Sequence, residues 1–206
     1  SPVEKVGYGT FYNATTLESI DLPNATKIEP YAFYTCTSLV TVNSPVVSDI
    51  QDKAFWKCSN LKNITLSNVK TIGEESFRYC NSLESVVAPE VTELPKSQAF
   101  SQCDGLKTID FPKLVTIDGS SAFGSCPQLT TVNLPVVKKI YNSTFSGCTN
   151  LTTIHAPELE DLGKNVFYKS NLQRVSFPKL RSIGEYTFDG LSQLEFVDLG
   201  YVTSIS

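Results

Sequence analysis

Residues 54–72 read AFWKCSNLKNITLSNVKTI, and residues 122–140 read AFGSCPQLTTVNLPVVKKI. Both stretches begin with Ala-Phe, and both carry Cys three residues after the Phe, Leu six after it and an aliphatic residue nine after it. Both also close on an aliphatic pair. A pattern that returns every 20–50 residues or so is typical of a solenoid, in which each repeat forms one coil.

The same pattern extends along the chain. Nine phenylalanines start successive repeats of 21–23 residues. Because one coil is too small to bury its own apolar side chains, the coils must stack and share a single core. The phenylalanines that mark the repeats are Phe11, Phe33, Phe55, Phe77, Phe100, Phe123, Phe145, Phe167 and Phe188.

Each repeat contains a short alternating segment, as in Asn63-Ile64-Thr65-Leu66. Such alternation predicts a β-strand with one apolar face, so residues eight and ten after each Phe should point outward. A Pro often follows and ends the strand. The stretch around Phe77, at residues 76–80, predicts a short helical turn that returns the chain to the next strand.

The full pattern, Ala-Phe-x-x-Cys-x-x-Leu-x-x-Ile-x-Leu-Pro-x-Val-x-x-Ile, resembles the BspA-like leucine-rich repeat. The resemblance implies a leucine-rich-repeat solenoid of about nine repeats, with short parallel β-strands joined by turns or short helical turns. It also implies a cell-surface or secreted protein of bacteria or parasitic protists, associated with adhesion to host proteins and other cells. We expect one solenoid over residues 1–206, with both ends cut within a repeat, and the lack of Met indicates a processed or excised segment.

Composition argues against several classes of partner. The net charge is −4, and there is no Lys/Arg-rich run, so nucleic acid and anionic membranes are unfavoured. No apolar run approaches the roughly 20 residues that a membrane-spanning helix needs, so we expect no membrane insertion by this segment.

Residues able to carry chemistry are few. The single histidine, His155, falls on an outward strand position, and catalysis would need a nucleophile or acid converging on it. Glu158 and Glu160 could form a glycosidase-like pair, but Lys138 and Lys179 in the neighbouring repeats predict ion pairs instead. We therefore predict no enzyme activity, no cofactor and no metal.

Six cysteines form a second regular feature, because each lies three residues after a repeat Phe. They are too far apart in sequence for zinc motifs, and other repeats carry Ala, Ser or Leu at this position. We therefore expect buried, free thiols rather than disulfides. The cysteines are Cys36, Cys58, Cys80, Cys103, Cys126 and Cys148.

Two sets of residues are candidates for binding. The outward strand positions mostly carry short polar side chains, and the exceptions are Val87, His155, Arg174 and Phe196. The residues directly after the first three repeat phenylalanines form an aromatic row, which either binds a partner or packs as a cover over the core. These residues are Tyr12, Tyr34 and Trp56.

A long regular surface without a catalytic constellation favours a recognition or adhesion module. It would be extracellular or on the cell surface and bind a protein partner, such as a host extracellular-matrix protein or a surface protein of another cell. The alternatives are a carbohydrate-binding module that uses the aromatic row, a passive spacer in a larger surface protein, and an intracellular scaffold.

Overall fold

Two short strands form in each repeat of the computed structural model, which describes residues 3–205. The first strand is the one that the alternation predicts. The second strand is two residues long and follows the Pro turn, where the sequence indicated only the aliphatic pair that closes each repeat. The expected domain boundaries at Ser1 and Ser206 lie outside the described residues.

The strands of the first set are called the front strands, and their outward side is the front face. Each pairs in parallel with its counterpart one repeat away, in equal register. They are β2 (Ser19–Asp21), β4 (Thr41–Asn43), β6 (Asn63–Ile64), β8 (Ser85–Val87), β10 (Thr108–Asp110), β12 (Thr131–Asn133), β14 (Thr153–His155), β16 (Arg174–Ser176) and β18 (Phe196–Asp198).

The second set is called the back strands. They also pair in parallel between successive repeats, which confirms the predicted leucine-rich-repeat solenoid. They are β1 (Lys5–Val6), β3 (Lys27–Ile28), β5 (Asp49–Ile50), β7 (Thr71–Ile72), β9 (Glu93–Leu94), β11 (Thr116–Ile117), β13 (Lys139–Ile140), β15 (Asp161–Leu162), β17 (Ser182–Ile183) and β19 (Ser204–Ile205).

The core between the two sets of strands is a continuous column of stacked rings. Phe77 and Phe100 lie with their centroids 5.0 Å apart and their planes 1° from parallel. Phe123 continues the stack 5.3 Å beyond Phe100. The seven rings from Phe33 to Phe167 are fully buried, as the repeat pattern predicts, whereas Phe11 and Phe188 at the two ends are only partly buried.

The segments around the repeat phenylalanines are turns, and no helix occurs in residues 3–205. The predicted short helical turns are therefore absent from the described chain. In these turns, alternate backbone N–H groups donate hydrogen bonds to carbonyls of the next repeat, as Phe33 N–H does to the Ala54 carbonyl at 2.8 Å. The intervening N–H groups close local turns, and the residue two after the Phe adopts positive φ, 57° at Thr35. An α-helix would use all these donors within one repeat and leave the repeats unjoined.

The ladders are interrupted at three places. Gly73, directly after β7, donates its N–H to the Ile50 carbonyl. Pro95 occupies the same position directly after β9 and has no N–H, so the back ladder breaks between β7 and β9. The front ladder breaks between β6 and β8, at the same repeat boundary. It breaks again between β14 and β16, where the repeat that begins at Phe167 is one residue short before Leu172.

Candidate binding surfaces

Three of the four front-face candidates lie together. His155 ends β14, Arg174 begins β16 and Phe196 begins β18, and all three line one shallow depression with Pro157 and Pro178. The depression lies at the second break of the front ladder. Bulky side chains therefore gather where the front sheet is least regular.

The Arg174 guanidinium lies over the Phe196 ring, 4.4 Å from its centroid. The two residues are direct partners across β16 and β18, so the backbone register sets this contact. Phe196 remains 42% exposed. Stacking of this kind is worth roughly 0.5–1 kcal/mol at an exposed site, so it orders the arginine rather than stabilising the fold.

Val87 is separate from this cluster. It ends β8 and is 54% exposed. Its partner across the front ladder is Asp110, and Asn133 and His155 follow in the same column. Two front strands, β10 and β12, therefore lie between Val87 and His155, so one small ligand would not reach both.

The predicted aromatic row is present as a continuous stack on the turn edge, the surface formed by the turns around the repeat phenylalanines. Tyr12 and Tyr34 lie 4.9 Å apart with an 8° angle between their planes. Tyr34 and Trp56 lie 4.6 Å apart at 5°. Burial raises the pKa of Tyr34, and Tyr12 at the end of the row is 50% exposed.

Further aromatic residues enlarge the row beyond the sequence prediction. Tyr79 meets Trp56 edge-on at 5.3 Å, and Tyr31 packs against both Tyr34 and Tyr8 at 5.4 Å. Tyr31 lies two residues before its repeat Phe and Tyr79 two after it, so neither belongs to the column directly after the Phe. Their shared positive φ, which turns them to the same edge, is a backbone property that the repeat pattern does not display.

The stacking decides which part of each ring a ligand can reach. In Tyr12, Tyr34 and Trp56 the ring faces contact one another along the solenoid axis. A sugar that stacks on an aromatic platform needs an open ring face. This surface instead offers ring edges and hydroxyl groups, which suit hydrogen bonds and contacts with a protein surface.

The predicted ion pairs are present on the surface called the charged wall, which consists of Lys138, Glu158, Glu160 and Lys179. Lys179 lies 2.5 Å from Glu158, and Lys138 lies 3.6 Å from Glu160. All four side chains are partly exposed, so each pair is worth about 0–1 kcal/mol. Their charges are nevertheless already matched.

The cysteines are buried and free, as the repeat pattern predicts. Each thiol donates to the carbonyl of the Phe that starts the preceding repeat, as Cys103 does to Phe77 at 3.1 Å. Burial raises the pKa of Cys103 and of Cys148 to about 12. These thiols are therefore protonated donors inside the core, not nucleophiles.

Signs of catalysis or metal binding are lacking in the part of the chain that the structure describes. No hydrogen bond or ion pair involves the His155 side chain among residues 3–205, and it is exposed. No group of three or more His, Cys, Asp or Glu residues in this range could hold a metal ion. No helix in the same range is long and apolar enough to cross a membrane.

The comparisons with known proteins agree with the geometry. The chain matches the family described as BspA type leucine rich repeat region, with six copies, over residues 4–130 and 117–206. A search of curated proteins finds no significant match.

Three solved structures are similar to the chain. A leucine-rich repeat protein from Bacteroides ovatus has a TM-score of 0.77 at 23% identity, and the match covers 98% of this chain and 66% of that one. A leucine rich cell surface protein from Faecalibacterium prausnitzii has a TM-score of 0.56 at 22% identity, covering 96% and 83%. A leucine-rich repeat protein of T. pallidum has a TM-score of 0.56 at 30% identity, covering 82% and 72%. The chain thus spans 66% of the length of the B. ovatus protein.

Proposed function

Because the chain belongs to the BspA-type leucine-rich repeat family, we propose that it is a recognition module of a cell-surface or secreted protein and binds a protein partner through its front face. The observation that carries this proposal is the cluster of His155, Arg174 and Phe196 on an otherwise short-chained, polar face. Aromatic and arginine side chains are the residue types that most often anchor protein interfaces.

The front face also suits binding on energetic grounds. On either side of the break beside β16 its backbone is held by parallel ladders between repeats, so little conformational entropy is lost on contact. Its short side chains leave an approaching surface unobstructed. The charged wall is a poorer choice, because a partner would have to compete with ion pairs that already exist.

The turn edge around Tyr12, Tyr34 and Trp56 is a second protein-binding surface under this proposal. Its ring edges and hydroxyl groups favour a protein over a sugar, since both faces of Tyr34 and one face each of Tyr12 and Trp56 are occupied by stacking. Carbohydrate binding remains the alternative function, and a glycan array distinguishes the two. A passive spacer is the other alternative, and it would bind nothing.

Binding to a panel of host extracellular-matrix proteins and to the glycan array tests the proposal. Arg174→Ala and Trp56→Ala should weaken any interaction detected. Lys138→Ala and Glu160→Ala are matched controls from the charged wall and should leave it unchanged. The reverse pattern would move the binding site to the charged wall. Binding to glycans alone would favour the carbohydrate module, and no binding by any variant would favour the spacer.

A further inference from the structure

Arg174 differs from the other two arginines of the chain. Arg78 is held by Glu75 at 2.5 Å and by Gln102, and Arg181 lies 3.9 Å from Glu160. Within residues 3–205, no hydrogen bond or ion pair involves the Arg174 side chain, which is exposed. Its guanidinium instead lies over the Phe196 ring, in a cation–π contact.

This contact orders the guanidinium without using its donors. The cation lies over the ring, which leaves the N–H groups at the rim of the guanidinium free to bind. Two of these donors match the two oxygens of a carboxylate, and such bidentate pairs are stronger than neutral hydrogen bonds. Stacking also reduces the rotamer freedom that binding would otherwise remove.

Asp198, a carboxylate on the same face at the end of β18, is already engaged. Asp198 accepts hydrogen bonds from the Ser176 hydroxyl at 2.9 Å and from the Gly200 N–H at 3.3 Å. Glu195, directly before β18, is exposed, and no hydrogen bond or ion pair joins it to Arg174 in the described part of the chain. The positive charge of Arg174 is therefore available to an external carboxylate.

The strand that carries Arg174 has no ladder partner on one side. β14 and β16 are neighbours that do not form a ladder, although Asn171 N–H still reaches the Leu151 carbonyl at 3.1 Å. Residues of both strands, Ile154 and His155 from β14 and Arg174 to Ser176 from β16, line the depression. An extended peptide presents backbone donors and acceptors that can pair with strand groups left without a ladder partner.

We propose that this depression binds an extended acidic segment of the partner protein, with Arg174 receiving one of its carboxylates. The inference rests on the proposed function and adds to it the chemistry of the partner. His155 supplies a second side chain that can donate to the same acidic segment from the opposite side of the gap. Phe196 positions the guanidinium and offers its exposed ring to an apolar neighbour in that segment.

The Arg Nε–H resonances of the ¹⁵N-labelled protein provide a direct test, since the chain contains only Arg78, Arg174 and Arg181. The probe is a capped decapeptide of alternating Thr and Glu, and its control has Gln in place of Glu. The Thr-Glu peptide should shift the Arg174 signal in a saturable way, and the Thr-Gln peptide should not. Arg174→Lys identifies the signal and should weaken binding about tenfold, because the ammonium lacks the planar fork.

Two further variants separate this site from general attraction of anions. Phe196→Leu should weaken binding of the Thr-Glu peptide, whereas Arg181→Lys on the opposite surface should leave it unchanged. Equal shifts of all three arginines, or no shift of Arg174, would overturn the proposal. So would inorganic phosphate that competes with the peptide at equal concentration. A host protein that binds wild type and Arg174→Gln equally through the front face would overturn this inference alone and leave the recognition function standing.

Discussion

Replacing Phe100 by Ala tests whether the ring column is one continuous core. Phe100 is fully buried between Phe77 at 5.0 Å and Phe123 at 5.3 Å, and it meets the edge of Phe111 at 6.1 Å. Loss of a buried Phe costs about 3–5 kcal/mol, from the lost burial and the cavity that remains. Three aromatic contacts, each worth about 0.5–1.5 kcal/mol, place this site towards the upper end of that range.

Phe188→Ala is the matched control, because Phe188 occupies the same position in the last repeat and is only partly buried. It stacks on Phe167 at 6.1 Å. With solvent on one side and a single stacked neighbour, its loss should cost roughly 1–2 kcal/mol. The difference between the two variants measures the contribution of the interior of the column.

Urea unfolding followed by far-ultraviolet circular dichroism and by fluorescence provides the measurement. The only tryptophan, Trp56, lies on the turn edge of the third repeat, so its fluorescence reports on the N-terminal half. In wild type the two signals should change together, since neighbouring repeats stabilise one another. A loss below about 1 kcal/mol for Phe100→Ala, or equal losses for both variants, would refute the account of a continuous core.

Two other predictions concern the thiols and the interrupted back ladder. Since burial raises the pKa of Cys103 and Cys148 to about 12, the unfolded chain releases their protons first as the pH rises. These two groups should leave the free energy of unfolding unchanged below about pH 8.5. Between about pH 9 and 12, the free energy of unfolding should fall by roughly 1.4 kcal/mol per pH unit for each thiol. In urea unfolding, the double variant Cys103→Ala, Cys148→Ala should show a shallower fall. At the break caused by Pro95, the amide of Thr92 should exchange hydrogen at least about tenfold faster than that of Val115, which donates to the Thr92 carbonyl at 2.8 Å. Equal protection by mass spectrometry or NMR would mean that the ladder is continuous there.

The candidate sites could be predicted only in part. Arg174 and Phe196 stand out in the sequence because each is bulky where other repeats carry Ser, Thr or Asn, and their equal place in the repeat predicts that they are neighbours. The stacking of the Arg174 guanidinium on the Phe196 ring depends on side-chain rotamers. The gap beside them depends on how the backbone accommodates the repeat that is one residue short before Leu172. Tyr31 and Tyr79 were missed because backbone φ, not the repeat spacing, brings them to the aromatic edge.

The spacing of the nine phenylalanines is enough to predict a solenoid and its buried rings. The alternating segment in each repeat adds the front strands, and the regular place of the cysteines adds the free thiols. The reason is that a repeated apolar pattern permits one arrangement in which every repeat covers its neighbour. The back strands, the turns in place of helical segments and the three ladder breaks follow from hydrogen bonds between residues about 22 positions apart. Whether a given N–H closes a turn within its own repeat or bonds to the next depends on φ at single residues and on the carbonyl opposite. Both are properties of the stacked structure, and no single repeat contains them.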